Sequence, residues 1–244
     1  MSFQFTATFD PTPEQRAAIY SVNEQLEFSQ GPEKNFAAAL SDYLKRASFK
    51  GKIGNFLPFY PSGTDVLIGG IGAGLATSSD AEIWGDALYK SMKSKPFNEA
   101  VLSAADFEDE IIEGILLGAT LASYEFNSYF TKKEEESPSV NLIITGIDEA
   151  RFKRILADVD AMADGVHLAR DLVYEPANIL YPESFAKRCE PLTDKGLEVS
   201  VLNEKDMKEL GMGSLLGVGQ GSVRESAIVI MNWRAAAMKL RLLW

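Results

Sequence analysis

The sequence predicts an α/β fold in two parts joined by a long helix. Three observations carry this reading. Segments with the two-residue period of strands alternate with segments of helical period through residues 1–147, the pattern of a largely parallel or mixed sheet crossed over by helices. One apolar stripe then runs from Phe152 to Val173. Beyond Pro176, shorter strand and helix patterns resume, punctuated by glycine.

Taken in order, Phe3, Phe5, Ala7 and Phe9 alternate with Gln4, Thr6 and Thr8, which predicts a half-buried strand. Phe36, Leu40, Tyr43 and Leu44 recur at helical spacing. An extended stretch at Lys52–Tyr60 ends at the turn signal Pro61-Ser62-Gly63. Thr64–Ile71 is β-branched and apolar, like a buried strand. Ile83, Trp84, Ala87, Leu88 and Met92 mark a helix, and a short strand is expected near Ala100–Ser103. Phe107, Ile111, Ile115 and Ala119 share one face of a helix from about Asp106 to Tyr124. Lys132–Pro138 is a charged loop leading into a strand at Val140–Thr145.

A long helix is expected from about Asp148. Phe152, Ile155, Val159, Met162, Val166, Ala169 and Val173 form its stripe, and Pro176 ends it. At 1.5 Å per residue, some 25 residues span roughly 35 Å, enough to bridge two domains. The boundary is therefore placed inside or just after this helix. Pro182 suits a first helical position, with Phe185, Ala186 and Cys189 on one face and Gly196 as the stop. Leu197–Leu202 alternates as a strand. Asn203 is a good N-cap for a helix over Glu204–Leu210, and Gly211 a good end for it. The glycine-rich run Gly217–Ser222 reads as a loop before a strand at Ala227–Trp233.

Composition removes several function classes. No apolar run approaches the roughly 18 residues that cross a bilayer; the longest candidates are Val66–Ala76 and Ile111–Ala122. The N-terminus lacks a basic segment followed by an apolar core, so no secretory signal is expected. One cysteine, Cys189, cannot form an internal disulfide, which fits the cytoplasm. One histidine, His167, excludes a site built from two. The net charge of −11 is uneven: residues 1–150 hold 11 Lys/Arg against 22 Asp/Glu, whereas residues 151–244 hold 13 of each. An acidic half argues against nucleic acid, whose phosphates attract clustered basic residues. The plain reading of the acidity is solubility.

Four features invite chemistry, and each has a structural reading beside it. In Gly69-Gly70-Ile71-Gly72-Ala73-Gly74-Leu75 the glycines fall at GxGxG spacing, but leucine stands where the dinucleotide fingerprint places its third glycine. Gly217–Ser222 has no lysine for a phosphate loop. Tight turns between packed elements explain both clusters. Asp171 and Glu175 lie four apart on a helix and could hold a metal, although solvent-facing acids are commoner. Cys189 reads as a small core residue rather than a nucleophile, and His167 as a packed or surface helix histidine.

From Ala169 the residues carry a family resemblance. Ala169-Arg170-Asp171-Leu172-Val173-Tyr174-Glu175-Pro176-Ala177-Asn178 resembles the start of the catalytic domain in the leucyl aminopeptidase (cytosol aminopeptidase) family. So do Leu210-Gly211-Met212-Gly213-Ser214-Leu215-Leu216-Gly217-Val218-Gly219-Gln220-Gly221-Ser222 and the strand ending Val229-Ile230-Met231-Asn232-Trp233. Order, spacing and rare combinations agree from Ala169 to Trp233. A fainter echo is Tyr124-Glu125-Phe126-Asn127-Ser128-Tyr129, while the first hundred residues match only in α/β character. Tyr174 departs from the asparagine usual in the family.

The resemblance implies a two-metal exopeptidase releasing N-terminal residues, leucine favoured, from peptides. It implies an N-terminal macro-like α/β domain with a mixed sheet at 1–147, a linking helix at 148–175, and an incomplete α/β catalytic domain at 176–244. Full-length members are expected to bind two divalent metals, Mn or Zn, and to form homo-oligomers, with no nucleic acid or membrane partner. The family's lysine and acidic ligands lie in Val-Gly-Lys-Gly-type and Asn-Thr-Asp-Ala-Glu-Gly-Arg-type segments, neither of which occurs here. No catalytic, cofactor-binding or metal residue therefore carries over. After Trp233 the chain runs Arg234-Ala235-Ala236-Ala237-Met238-Lys239-Leu240-Arg241-Leu242-Leu243-Trp244, which suggests a truncated or frameshifted member, inactive alone. The other expectation is a non-catalytic binding or assembly module, with Gly69–Gly74 as the place for a nucleotide-type ligand.

Overall fold

A computed structural model describes residues 4–7, 17–29, 34–60, 65–94, 98–131 and 139–233. Phe3 and Phe9 of the first expected strand, the turn Pro61–Gly63, the loop Lys132–Pro138 and the tail from Arg234 lie outside them. The chain divides into two compact units, Met1–Leu168 and Ala169–Trp244.

Unit 1 runs β1 (Gln4–Ala7), β2 (Ala17–Val22), α1 (Lys34–Arg46), β3 (Phe56–Phe59), β4 (Val66–Gly70), α2 (Ser78–Lys93), β5 (Glu99–Ser103), α3 (Asp109–Ala122), β6 (Asn141–Thr145) and most of α4 (Glu149–Tyr174). Its six strands form one mixed sheet in the order β1-β6-β5-β2-β4-β3. All pairings are parallel except β3 with β4, which places Phe56 opposite Gly69 and Phe59 opposite Val66.

Both faces of this sheet are covered, as parallel strands require. Every residue of β4 is buried, and successive side chains serve opposite faces. Leu67 joins Trp84 and Leu88 of α2 with Ile115 and Leu116 of α3 in one core. Val66 and Ile68 join Val22 with Leu40 and Leu44 of α1 in the other.

Two findings differ from the sequence reading of unit 1. Ala17–Val22 was not expected as a strand, yet β2 lies inside the sheet between β5 and β4. The stripe of α4 is buried only at Phe152, Ile155, Val159 and Ala163, while Met162, Val166 and Val173 are exposed. The expected stripe repeats every seven residues, and a straight helix drifts roughly 20° per heptad from such a repeat. After two turns the inward position has moved from Met162 to Ala163.

Unit 2 contains the end of α4, α5 (Pro182–Cys189), a tight 3-10 helix (Glu190–Lys195), β7 (Leu197–Leu202), α6 (Glu204–Glu209), α7 (Gly213–Gly219) and β8 (Ile228–Trp233). α5 ends before Gly196 because Pro191 has no N–H to continue the ladder. Gly196 instead closes the 3-10 helix at φ +94°, its N–H bonded to the Thr193 carbonyl at 2.9 Å. β7 and β8, both expected as strands, pair antiparallel, Leu197 opposite Trp233 and Leu202 opposite Ile228.

Candidate functional site

The first glycine cluster sits at the end of β4 and the turn after it. Four of its N–H groups are already taken: Gly70 donates to Asn55 at 2.8 Å, Ile71 to Val22 at 2.9 Å, Gly72 to Gly51 at 2.7 Å and Gly74 to Ile71 at 2.9 Å. A Cβ on Gly69 would lie 2.6 Å from the Phe56 ring, and one on Gly70 would lie 2.4 Å from the Lys52 carbonyl oxygen. Close packing against the β3 segment is what these two positions need. The next helix, α2, starts several residues later, and its end is occupied by its own sequence. Thr77 Oγ1 accepts from the Asp80 N–H at 3.1 Å, and Asp80 Oδ2 accepts from the Thr77 N–H at 3.1 Å, a capping box whose carboxylate already answers the helix dipole.

The second cluster is not the loop expected. Gly213–Gly219 is helical (α7), and only the residues after it turn toward β8. A Cβ on Gly219 would meet Ser226 Oγ at 2.0 Å, so this glycine admits the close return of the chain.

Asp171 and Glu175 share a helix end but do not form a metal pair. The Glu175 carboxylate is almost wholly buried and accepts a charge-assisted hydrogen bond from Arg188 of α5, which ties the end of α4 to α5. Among the described residues no group of three or more His, Cys, Asp or Glu side chains is placed to hold a metal ion. The described carboxylates therefore do not fit the ligand set that two divalent cations would need.

His167 packs its ring on Tyr124 with centroids 5.1 Å apart, and its Nε2 is buried without a hydrogen-bond partner among the described residues. Cys189 is buried, and burial pushes its thiol pKa up, so it is held as the unreactive thiol.

The clefts of unit 2 were not legible in the sequence. One, of about 430 Å³, is bordered by Tyr181, Lys187 and Glu190 on one side and Asn203 and Arg224 on the other. The Arg224 guanidinium lies 3.9 Å from the Tyr181 ring centroid, a cation–π contact. A second, of about 260 Å³, borders Glu204, Lys208 and Leu216. The turn between them is fixed by Glu204 Oε1, which accepts from the Ser226 N–H at 3.0 Å. Both clefts are open and lined by side chains of both charges. No helix among the described residues is long and apolar enough to cross a membrane.

Comparison with known proteins gives a consistent result. The sequence profile described as "Cytosol aminopeptidase family, N-terminal domain" matches residues 19–133, and "Cytosol aminopeptidase family, catalytic domain" matches residues 167–243. A probable cytosol aminopeptidase of Caulobacter vibrioides is 40% identical over 208 residues, covering 82% of this chain and 42% of that protein. One of Rhizobium etli is 36% identical over 263 residues, covering 99% of this chain and 51% of that protein. Among solved structures, a tomato leucine aminopeptidase superposes with a TM-score of 0.80 at 19% identity, over 98% of this chain and 52% of the other. The bottromycin maturation enzyme BotP in complex with Mn superposes with a TM-score of 0.68 at 24% identity, over 91% and 46%. These structural likenesses establish the fold, and the chain spans about half the length of the relatives it matches.

Proposed function

Because this chain belongs to the cytosol aminopeptidase family, we propose that it supplies the N-terminal part of a leucyl aminopeptidase and carries none of that enzyme's metal ligands or reacting groups. The observation that carries this reading is the order of the two family profiles, with the catalytic one confined to 167–243. In the proposed division, residues 1–147 are the N-terminal macro-like domain, 148–175 the linking helix and 176–244 the opening of the catalytic domain. The complete enzyme releases N-terminal residues from peptides in the cytoplasm and assembles as a homo-oligomer. Two divalent cations, manganese or zinc, supply its Lewis acidity. The carboxylates of this chain do other work: Glu175 holds Arg188, and Asp109 holds Arg151 and Arg154. No step of hydrolysis is assigned to them.

The test is direct. Purified chain, its mass verified, is incubated with a leucyl chromogenic amide and either Mn²⁺ or Zn²⁺. The expected release is no faster than in buffer with the same metal. Turnover proportional to the concentration of chain overturns the reading.

A further inference from the structure

We propose that the segment Lys45–Gly54 of unit 1, where α1 ends and the chain turns toward β3, is a binding site for a phosphate group. It lies wholly within unit 1 and does not depend on the aminopeptidase reading.

The segment reads Lys-Arg-Ala-Ser-Phe-Lys-Gly-Lys-Ile-Gly. Four of the 11 Lys/Arg of residues 1–150 fall within its first eight positions, which hold no Asp or Glu. Lys45, Arg46, Ser48, Lys50 and Lys52 are exposed. Basic residues in a last helical turn ordinarily answer the helix dipole, but here the backbone closes the helix itself. The carbonyls of Tyr43, Leu44 and Lys45 accept from the N–H groups of Ala47 at 2.9 Å, Phe49 at 3.0 Å and Ser48 at 3.1 Å. Arg46 pairs with Asp42 at 2.7 Å. Lys45, Lys50 and Lys52 have no ion-pair partner among the described residues, although the exposed Glu24 lies beside Gly51.

The backbone adds donors to these cations. Ser48, Gly51 and Gly54 stand at φ +53°, +62° and +78°, and successive N–H groups in turns of this kind form concavities for anions. The carbonyls of Gly51 and Lys52 are engaged, accepting from Gly72 at 2.7 Å and Asn55 at 3.1 Å. The N–H groups of Lys50, Gly51, Lys52, Ile53 and Gly54 donate to no acceptor among the described residues. Gly51 is itself buried, where an unanswered N–H is costly. A Cβ there would lie 2.1 Å from the Asn23 carbonyl oxygen, so the backbone is held in place and only glycine fits. The Ser48 hydroxyl has no hydrogen-bond partner among the described residues either.

Three lysines, five amides and a hydroxyl exceed what the two oxygens of a carboxylate accept. A phosphate group, with its double charge and three terminal oxygens, matches this donor set. The surrounding charge limits the ligand's size. Residues 1–150 carry a net −11, which repels an extended polyanion but leaves room for one phosphate at a local positive spot.

The experiment records backbone amide shifts of the full 244-residue chain during titration with sodium phosphate, against sodium chloride of equal ionic strength. Saturating shifts at Lys50–Gly54 are expected with phosphate and not with chloride. Lys50→Gln with Lys52→Gln alters two exposed side chains; it is expected to leave the circular dichroism spectrum unchanged and to weaken phosphate binding at least about fivefold. Lys153→Gln removes an exposed charge on α4 and is expected to leave the affinity unchanged. Vesicles of phosphatidylglycerol, compared with phosphatidylcholine alone, distinguish the source of the group. Saturation by free phosphate without vesicle binding supports a soluble phosphorylated ligand, whereas vesicle binding lost in the double variant supports a lipid headgroup. Silence of the Lys50–Gly54 amides with both probes, shifts reproduced by chloride, unchanged affinity in the double variant, or an equal loss in Lys153→Gln each overturns the proposal.

Discussion

Asp109 stands in the first turn of α3 and holds two guanidinium groups at once. Arg151 Nε and Arg154 Nη2, both from the start of α4, donate to its two carboxylate oxygens. Arg151 Nη2 also reaches the Phe107 carbonyl at 2.8 Å. The Arg151 guanidinium holds the Asp109 carboxyl below its ordinary value. A folded-state pKa below the unfolded one means that folding favours the charged form. The stabilisation is complete above the ordinary aspartate value of about 4 and is lost as pH falls through the lowered folded value. Asp109→Asn is therefore expected to lower the thermal midpoint slightly at pH 7, the effect being small because the groups are solvent-accessible. The gap to the parent should close as pH is stepped down below the ordinary aspartate range. Unfolding followed by circular dichroism along that series checks it, and a gap indifferent to pH would assign the loss to packing. Single residues were legible where the local pattern decided their role: Cys189, on the apolar face of its helix, is buried as expected. Glu175 was not, because its partner Arg188 stands on another helix and four-residue spacing on α4 cannot reveal it.

Between α2 and α3 the backbones meet at glycine. A Cβ on Gly118 would sit 2.0 Å from the Glu82 carbonyl oxygen, and one on Gly85 would sit 2.1 Å from that of Ile115. Backbone cannot move aside as a flexible side chain does, so the helices would have to separate and loosen the core around Trp84 and Leu116. Gly118→Ala gains helix propensity, yet it is expected to cost roughly 1–3 kcal/mol through overpacking. Urea unfolding of the variant measures this, and a neutral or stabilising result would show that the helices can part freely. Most elements were legible because their period repeats through a whole face, as in Phe107, Ile111, Ile115 and Ala119 of α3. β2 escaped because an interior strand of six residues, Ala-Ala-Ile-Tyr-Ser-Val, has small and mixed side chains without a strict alternation of apolar and polar residues. α7 escaped because Gly213, Gly217 and Gly219 weaken helix propensity over seven residues. Strand order was not written locally at all, since β2 enters between β4 and β5 through contacts far apart in sequence.

The two units bury very different amounts of apolar chain. Unit 1 has a core on each face of a six-stranded sheet. In unit 2 the buried hydrophobic residues among those described are Ala186, Cys189 and Met207, while Val173, Leu210, Val218 and Trp233 remain exposed. Net stability is a small difference between burial and conformational entropy, so a unit with so little burial opens at low free energy while its neighbour stays closed. The chain is therefore expected to depart from two-state unfolding. Hydrogen exchange resolved along the sequence should show β4 and β5 amides protected on the order of a hundredfold more than those of β7 and β8. In the same sample the β4 amides should remain protected at temperatures where the β7–β8 ribbon has already exchanged. Equal protection in both sheets would mean that unit 2 draws on stability beyond its own burial, and the argument from uncovered apolar surface would then fail for the whole molecule. If the difference is found, the first unit keeps its fold on its own burial at temperatures where the second has opened. The sequence could not show this balance, because burial depends on which faces meet, and the apolar pattern of β8 is the same whether or not a further strand lies beside it.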